Sequence, residues 1–253
     1  SIWLVGAGSM ALDYYSVLKD LKLNLKVIGR GIKSAKQFQE KTNQDVFVGG
    51  LKKAFKTLKP PKNIIIAVGV DELYSTLELV LNEQEVNNIL LEKPGSLYLE
   101  ELLEAQKIAK LNKKQVWIAY NRRFYSSVIE LIKLTDQEGG ITSINFEFTE
   151  WSFQISELQK NEEIKNRWLL SNSTHVIDLA FFLIGLPQEE SFSTFKNGKI
   201  NWHQQGARFC GAGISKKGII FSYHADWTSP GRWGLEINSY KSRYILRPLE
   251  KLQ

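Results

Sequence analysis

Short apolar runs alternate with amphipathic stretches over roughly the first 120 residues of the chain. Each run is rich in Ile, Val or Leu and predicts a strand, and the stretches between most of them have helical periodicity. Such alternation favours a parallel sheet with helices on both faces. The six predicted strands lie in IWLV, LNLKVIG, VFVG, NIIIAVG, NNILLE and QVWIAY.

The pattern changes after about residue 122. Longer segments with alternating apolar positions follow one another, joined by short turns rich in Gly, Asn or Lys. Only two helices are predicted here, near SSVIELIKLT and at HVIDLAFFLIG. We therefore expect an α/β protein whose second domain, residues 122–253, is α+β with a large, mainly antiparallel open sheet. Its strands are predicted in ITSINFEFTEW, ARFCGAGI, GIIFSYHADW, WGLEINSY and SRYILRPL.

A glycine-punctuated turn directly follows the first predicted strand. Gly6, Gly8 and Ala11 form the pattern G-x-G-x-x-A between a strand and a helix, as in dinucleotide-binding Rossmann domains. Gly6 would allow the tight turn, and Gly8 would let the backbone approach a pyrophosphate at the helix start, near Ser9 and Met10. An ordinary turn between strand and helix is the alternative. We predict a Rossmann dinucleotide-binding domain over residues 1–121.

The end of the second strand indicates which dinucleotide binds. No Asp or Glu stands between Leu21 and Gln39, where an acidic residue would hold the ribose of NAD. Arg30 and Ser34 stand there instead, among further lysines, and they suit the 2′-phosphate of NADP. NADP is therefore favoured over NAD. The alternative is that these charges are only solvated, or that Arg30 stacks on adenine.

Composition narrows the class of protein. The 253 residues are 43% hydrophobic and include seven Trp, enough for a substantial core. The single Cys210 excludes an internal disulfide framework, and no membrane span or signal peptide is visible, so a cytoplasmic location is expected. The net charge of +6 is dispersed, which favours an anionic small ligand over nucleic acid. A start without Met and an abrupt end at the C-terminus suggest an incomplete view of a longer protein.

The segment NNILLEKPG is the most specific in the chain. A buried strand ends in Glu92, Lys93 and Pro94, before a predicted helix near Leu99. Proline disfavours the helical conformation of the preceding residue, so Lys93 is held extended at the carboxyl end of the strand, where open α/β sheets bind ligands. A lysine there can donate a hydrogen bond to a substrate hydroxyl and stabilise a developing alkoxide.

Four ordered segments together resemble the Gfo/Idh/MocA family of NAD(P)-dependent oxidoreductases: GAGSMA, EKP, AYNRRF and STHVIDLAFFLIG. The resemblance implies hydride transfer between nicotinamide and a hydroxyl-bearing carbon of a sugar, nucleotide sugar or cyclitol. It also implies a homo-oligomer formed through the C-terminal sheet. By position, Lys93 is the catalytic lysine and His175 the catalytic histidine, both within reach of one substrate oxygen. Glu92 and Lys93, together with Gly69 in the loop after the fourth strand, are also predicted to bind the cofactor.

The chain departs from the family pattern at two places. The family places an Asp four residues before the histidine, whereas this chain has Ser171, followed by Asn172. Neither can act as a carboxylate base, so either proton transfer would run through His175 and Lys93 or through water, or catalysis would be weakened. The loop after the fourth strand has Gly69 where the family often has Pro and then His.

Several polar residues are candidate substrate contacts. Asn121, Arg122 and Arg123 follow the sixth strand and could meet substrate oxygens or phosphates, or brace the domain junction. Arg232 and Trp233 follow a Pro-Gly turn, and an indole beside a guanidinium suits a sugar face or a diphosphate, although Trp in a sheet is often core. Asn172 and His175 complete the set. No metal site is predicted.

Three functions are compatible with these residues. The leading one is an NADP-linked sugar oxidoreductase in which Lys93 polarises the reacting oxygen and His175 exchanges its proton. An NAD-dependent glycoside hydrolase on the same fold is the first alternative, and it would leave cofactor absorbance unchanged overall. A cofactor-binding sensor or structural subunit without turnover is the second, motivated by Ser171.

Overall fold

A computed structural model describes residues 1–253, which form two compact units. The first spans residues 1–119 and the second residues 120–253. Each unit is built on its own six-stranded sheet.

The first unit contains a wholly parallel sheet with the order β3-β2-β1-β4-β5-β6. All six predicted strands are present. Their cores are short apolar runs, as expected for strands that are covered on both faces. The strands are β1 (Ile2–Val5), β2 (Leu25–Gly29), β3 (Val46–Val48), β4 (Asn63–Ile66), β5 (Asn88–Leu91) and β6 (Gln115–Ile118).

Helices cover both faces of this sheet. Leu4, Val27 and Phe38 belong to the core on one face, whereas Trp3, Ile64 and other side chains belong to the core on the opposite face. This two-faced burial is why the inner strands β1 and β4 lack polar alternation. The helices are α1 (Ser9–Asp20), α2 (Ile32–Thr42), α3 (Gly50–Thr57), α4 (Leu73–Leu81) and α5 (Leu99–Leu111).

The order of strands reverses between β1 and β4, which are neighbours in the sheet. Gly6 follows β1 with a φ of +126°, and a Cβ atom there would overlap the carbonyl oxygen of Ala67 at the end of β4. Only glycine satisfies both constraints. In open α/β sheets, this reversal point is where ligands bind, outside the carboxyl ends of the strands.

The second unit contains a sheet with the order β12-β11-β7-β10-β9-β8. Only β7 and β10 pair in parallel, so the prediction of a mainly antiparallel sheet is confirmed. One edge strand, β8, was not predicted. The strands are β7 (Ile141–Glu147), β8 (Pro187–Asn197), β9 (Arg208–Ser215), β10 (Ile220–Asp226), β11 (Gly234–Ser239) and β12 (Arg243–Leu246).

Both predicted helices of this unit are present, as α6 (Ser126–Gln137) and α9 (Thr174–Ile184). The prediction of only two helices was incomplete, because two one-turn helices precede α9: α7 (Ser152–Ser156) and α8 (Glu162–Asn166). Helix α9 packs on the sheet, and Phe181 makes edge-to-face contacts with Phe146 and Phe221. None of the helices has the length and apolar character that crossing a membrane requires.

Candidate functional site

The glycine turn leaves open space at the start of α1. Gly8 is the N-cap residue, with an extended backbone, and Gly8, Ser9 and Met10 are exposed. A Cβ atom added at Gly8 would meet no protein atom within 4 Å. The first N–H groups of a helix have no partner within the helix, and the helix dipole favours an anion there. The turn therefore fits the pyrophosphate of a dinucleotide.

Gly8→Val tests this placement without disturbing the fold, because the site has room for the side chain and its φ of −93° suits any residue. We expect affinity for nicotinamide dinucleotides to fall by about tenfold or more, equivalent to roughly 1.4 kcal/mol, while the melting temperature of the free protein changes little. Calorimetric titration measures the affinity for the dinucleotide, and a thermal melt measures the melting temperature. Unchanged affinity would refute the placement. Gly6→Ala is the contrasting variant, and it should destabilise the free protein.

Arg30 directly follows β2 and is exposed, and its Nη1 lies 2.8 Å from Glu72 Oε2. Glu72 belongs to a short helical turn, Val70–Glu72, which follows Gly69 after β4. Ser34 is nearby in sequence on α2, and its hydroxyl donates to the carbonyl of Gly31 at 3.2 Å. Because exposed ion pairs contribute little free energy, a phosphate can replace Glu72 as the partner of Arg30.

The Glu92–Lys93–Pro94 segment follows β5 and is tied down by hydrogen bonds. The buried Glu92 accepts a hydrogen bond of 2.7 Å from the hydroxyl of Tyr14 on α1, and its backbone N–H donates to Ile66 at 3.0 Å. Burial and the Glu92 carboxylate raise the pKa of Tyr14 well above its usual range. Lys93 is half-buried, and the backbone N–H of Gly95, two residues later, donates to the carbonyl oxygen of Glu92 at 3.0 Å. The structure thus fixes the backbone on either side of the predicted catalytic lysine.

Tyr14 was not identified from the sequence. It stands between the apolar positions of α1, and only the structure shows that it reaches Glu92, 78 residues further along the chain. This bond engages the Glu92 carboxylate within the protein and joins the helix of the glycine turn to the end of β5.

His175 lies in the first turn of α9 and is buried, with 8% of its surface exposed. The imidazole contacts two aromatic rings, Tyr120 at 6.2 Å and Trp233 at 6.0 Å between ring centroids. Tyr120 was not singled out from the sequence. The rings limit the orientations that the imidazole can adopt, which is what a positioned general base requires.

A buried carboxylate, Glu150, lies beside the start of α9, just beyond the end of β7. It accepts hydrogen bonds from the Ser173 hydroxyl at 2.6 Å, from Asn172 Nδ2 at 3.2 Å and from Trp233 Nε1 at 3.2 Å. Burial raises the pKa of Glu150, and these donors offset part of that effect. Perturbed, buried carboxylates cluster at functional sites. Sequence reasoning missed Glu150, although the second of the two glutamates in FEFTEW, just after the apolar strand, is a usable signal.

Residues Leu169–Ser173 form a π-helical turn that leads directly into α9. Such turns occur frequently at functional sites. Ser171, at the position of the family's Asp, is buried, and its Oγ lies 3.5 Å from the carbonyl oxygen of Ile164. Asn172 and Ser173 contact Glu150 instead. The buried carboxylate of this region therefore comes from the end of a strand and not from the segment before the histidine.

The adjacent arginines Arg122 and Arg123 have different partners. Arg123 forms a two-point ion pair with Asp178 on α9, with 2.8 Å between Nε and Oδ2 and a second contact between Nη2 and Oδ1. Arg122 instead lies over the rings of Trp233, at 5.2 Å, and Tyr125, at 5.8 Å. Asn121, before them, is exposed.

Arg232 and Trp233 follow the predicted Pro-Gly turn, but they do not stack on each other. Arg232 lies 4.3 Å from the ring centroid of Trp151, whereas Trp233 is covered by Arg122. Trp233 is half-buried and touches both Glu150 and His175. Trp233 thus joins Arg122, Glu150 and His175 into one cluster.

The other two histidines do not belong to this cluster. His203 is a core residue, with its ring 4.8 Å from that of Trp227 and its Nδ1 2.6 Å from the carbonyl oxygen of Gly206. Burial lowers its pKa. His224 is exposed on β10. Nowhere in residues 1–253 are three or more His, Cys, Asp or Glu side chains grouped so that they could hold a metal ion.

Comparison with known proteins identifies the fold. No family model and no curated protein sequence matches the chain. Solved structures do match, among them the WlbA dehydrogenase from Bordetella pertussis in complex with NADH and UDP-GlcNAcA, with a TM-score of 0.78 and 12% identity over 97% of this chain and 77% of that one. A candidate NADPH-dependent oxidoreductase from Desulfitobacterium hafniense matches with a TM-score of 0.78 and 18% identity, over 96% of this chain and 71% of that one. The UDP-N-acetylglucosamine 3-dehydrogenase GnnA from Acidithiobacillus ferrooxidans matches with a TM-score of 0.74 and 14% identity, over 99% of this chain and 78% of that one.

These neighbours are oxidoreductases of the Gfo/Idh/MocA type. The chain has their two-domain fold, with a parallel Rossmann sheet and a second, mostly antiparallel sheet. The fold class predicted from the sequence is confirmed, and so is the resemblance, at the level of the fold.

Proposed function

We propose that this protein is an NAD(P)-dependent oxidoreductase that transfers a hydride between nicotinamide and a hydroxyl-bearing carbon of a sugar, nucleotide sugar or cyclitol. The observation that carries the proposal is the exposed turn at Gly8, which leaves room for a pyrophosphate at the start of α1. The fold shared with sugar and nucleotide-sugar dehydrogenases supports the same reaction class.

Each catalytic role follows from the chemistry of one side chain. Nicotinamide, when bound, would provide the hydride acceptor or donor at its C4 position. In the oxidation direction, the substrate loses that hydride from carbon and a proton from its hydroxyl, and a carbonyl group forms. Lys93 donates a hydrogen bond to the reacting oxygen, and neutral His175 accepts the proton. Ser171 cannot take part as a base, and no step requires it.

The experiment is a titration of the purified protein with NAD and NADP, followed by absorbance measurements with a panel of sugars, nucleotide sugars and cyclitols. Reduction of the cofactor in proportion to oxidised substrate is the expected result. Cleavage of a glycoside with no net change in absorbance would identify the hydrolase alternative. Cofactor binding without turnover of any substrate would favour a sensor or structural subunit.

NADP as the preferred cofactor is a further part of this proposal, and Arg30 supports it. The guanidinium is exposed at the end of β2, with no acidic residue in the segment that would hold a ribose 2′-hydroxyl. Its ion pair with the Glu72 carboxylate supports binding of an anion in this position. Ser34 and the neighbouring lysines add donors and positive charge for the same phosphate.

Arg30→Ala should weaken NADP binding by about tenfold or more, because each charge-assisted hydrogen bond to the phosphate contributes roughly 1.5 to 3 kcal/mol. Affinity for NAD, which lacks the phosphate, should stay nearly the same. Calorimetric titration of both cofactors gives the ratio of affinities. Glu72→Gln is the matched variant, and it should raise NADP affinity because the competing carboxylate is gone. Equal affinities of the unmodified protein for NAD and NADP would rule out the preference.

We further propose a cytoplasmic homo-oligomer that associates through the C-terminal sheet. Several large apolar side chains are exposed on its strands, including Phe192, Phe195 and Ile220. Exposed apolar patches of this kind often mark protein interfaces. The single, unpaired Cys210 suits a reducing compartment.

A further inference from the structure

We infer that the substrate of this protein carries an anionic group, a carboxylate or a phosphate, and that Arg122 binds it. This inference rests on the proposed function, since it concerns the molecule on which His175 would act. The support comes from the different surroundings of two consecutive arginines.

Arg123 is already neutralised within the protein. Its Nε and Nη2 both face the carboxylate of Asp178, whose side chain is only 13% exposed. A two-point pair of this kind holds the guanidinium in place and uses the edge that would otherwise bind a ligand. Arg123 therefore serves the packing of α9.

Arg122 has no such partner. Its Nε is buried and donates no hydrogen bond, and its Nη1 reaches only the side chain of Asn121, at 3.5 Å. A buried donor without an acceptor costs free energy, so it calls for a reason. The terminal Nη groups form no ion pair, and an oxyanion on a bound ligand would supply the missing acceptor there.

Stacking on aromatic rings orders the Arg122 guanidinium for binding an oxyanion. The guanidinium lies over the rings of Trp233 and Tyr125, at 5.2 Å and 5.8 Å. Contacts with ring faces leave the in-plane N–H groups at the edge of the guanidinium available, and those are the groups that bind two oxygens of a carboxylate or phosphate. The side chain is thus ordered before a ligand arrives, which lowers the entropic cost of binding.

The location connects Arg122 to the proposed reaction. Trp233, which supports Arg122, also contacts the imidazole of His175. The buried carboxylate in this cluster, Glu150, accepts hydrogen bonds from the neutral donors Ser173, Asn172 and Trp233. A ligand with an oxyanion near Arg122 would therefore lie in the cluster that holds the predicted base. This favours a uronate, a sugar phosphate or a nucleotide sugar over a neutral sugar or cyclitol.

The test compares matched ligands by calorimetric binding to the NADP-loaded protein. The panel contains neutral hexoses, the corresponding hexuronates, hexose phosphates and UDP-hexoses, together with inorganic phosphate. We expect at least one oxyanion-bearing series to bind about tenfold or more tightly than the neutral hexoses. The tight series identifies the source of the charge. A uronate preference indicates a carboxylate, and a phosphate or UDP-sugar preference indicates a phosphate.

Arg122→Met should abolish this preference, and Arg122→Lys should restore only part of it, because an ammonium group lacks the planar fork. Arg243→Met is the control for loss of one positive charge. Arg243 is exposed and pairs with Glu236, so this variant should keep the preference. Arg123→Met serves as a contrast, because it should lower the melting temperature by leaving Asp178 unpaired.

Equal binding of neutral and anionic ligands, a preference that survives in Arg122→Met, or binding of no anionic ligand at all would each overturn the inference. The readout is separate from that of the proposed function. A protein that binds anionic sugars through Arg122 but turns none of them over would contradict the oxidoreductase proposal and leave the inference standing. Turnover of neutral sugars that Arg122→Met does not affect would support the oxidoreductase proposal and contradict the inference about Arg122.

Discussion

Replacing Lys93 with methionine should lower the turnover of the proposed sugar oxidation by about 100-fold or more, which is typical for loss of one donor to a developing oxyanion. The lysine follows β5 at a position fixed on both sides. The backbone N–H of Glu92 is bonded to Ile66, and the backbone N–H of Gly95 is bonded to the carbonyl of Glu92, both at 3.0 Å. A fixed donor is most effective in the transition state, because it does not have to reorganise as charge develops.

Methionine keeps most of the length of the lysine side chain and removes its charge. We expect kcat to fall and the affinity for NADP to stay nearly unchanged, since the lost interaction belongs to the transition state. Lys107→Met is the matched control, because Lys107 is an exposed residue on α5 whose ammonium lies 3.6 Å from Glu104. Steady-state kinetics and calorimetric cofactor binding separate the two effects. A normal kcat in Lys93→Met would remove this lysine from the mechanism.

The parts of the fold that the sequence predicted are those determined by local pattern. The inner strands β1, β4 and β5 are apolar runs because helices cover both faces of the sheet there, so burial marks them in the sequence. Strand β8 was missed for the opposite reason. It is a mostly polar edge strand in which every residue is exposed or half-exposed, and pairing with β9 forms it. Charged side chains are usual on such edges.

In the candidate site, too, only the features that depend on neighbouring residues could be predicted from the sequence. The glycine turn and the EKP segment are read from neighbouring residues, whereas the bonds that organise the second unit join distant ones. Glu150 receives its hydrogen bonds from residues 22 to 83 positions away. Arg122 and Arg123 are consecutive residues of the same type, so the local sequence cannot tell them apart. Only the placement of Asp178 beside Arg123 and of Trp233 beside Arg122 distinguishes them. Contacts of this range depend on the completed fold and have no local pattern.

His175→Asn should lower turnover by roughly 100- to 10,000-fold, the range expected for loss of a general acid or base. Asparagine fills a similar volume and can still form hydrogen bonds, but it cannot accept a proton at neutral pH. The imidazole lies between the rings of Tyr120 and Trp233, so its orientation is set by packing and the smaller amide should fit without a clash. The loss should therefore appear in kcat and not in the stability of the protein.

The pH dependence of kcat gives a second readout that a purely structural role would not change. In the oxidation direction, a histidine base must be neutral, so turnover of the unmodified protein should fall as the solution becomes acidic enough to protonate it. The residual turnover of His175→Asn should lack that dependence. His224→Asn is the matched control, because His224 is exposed on β10, and it should retain both the rate and the pH profile. If His175→Asn kept the rate and the acid limb of the profile, the proton would have to leave the substrate by another group, and Glu150, the buried carboxylate bonded to Trp233, would be the next residue to replace.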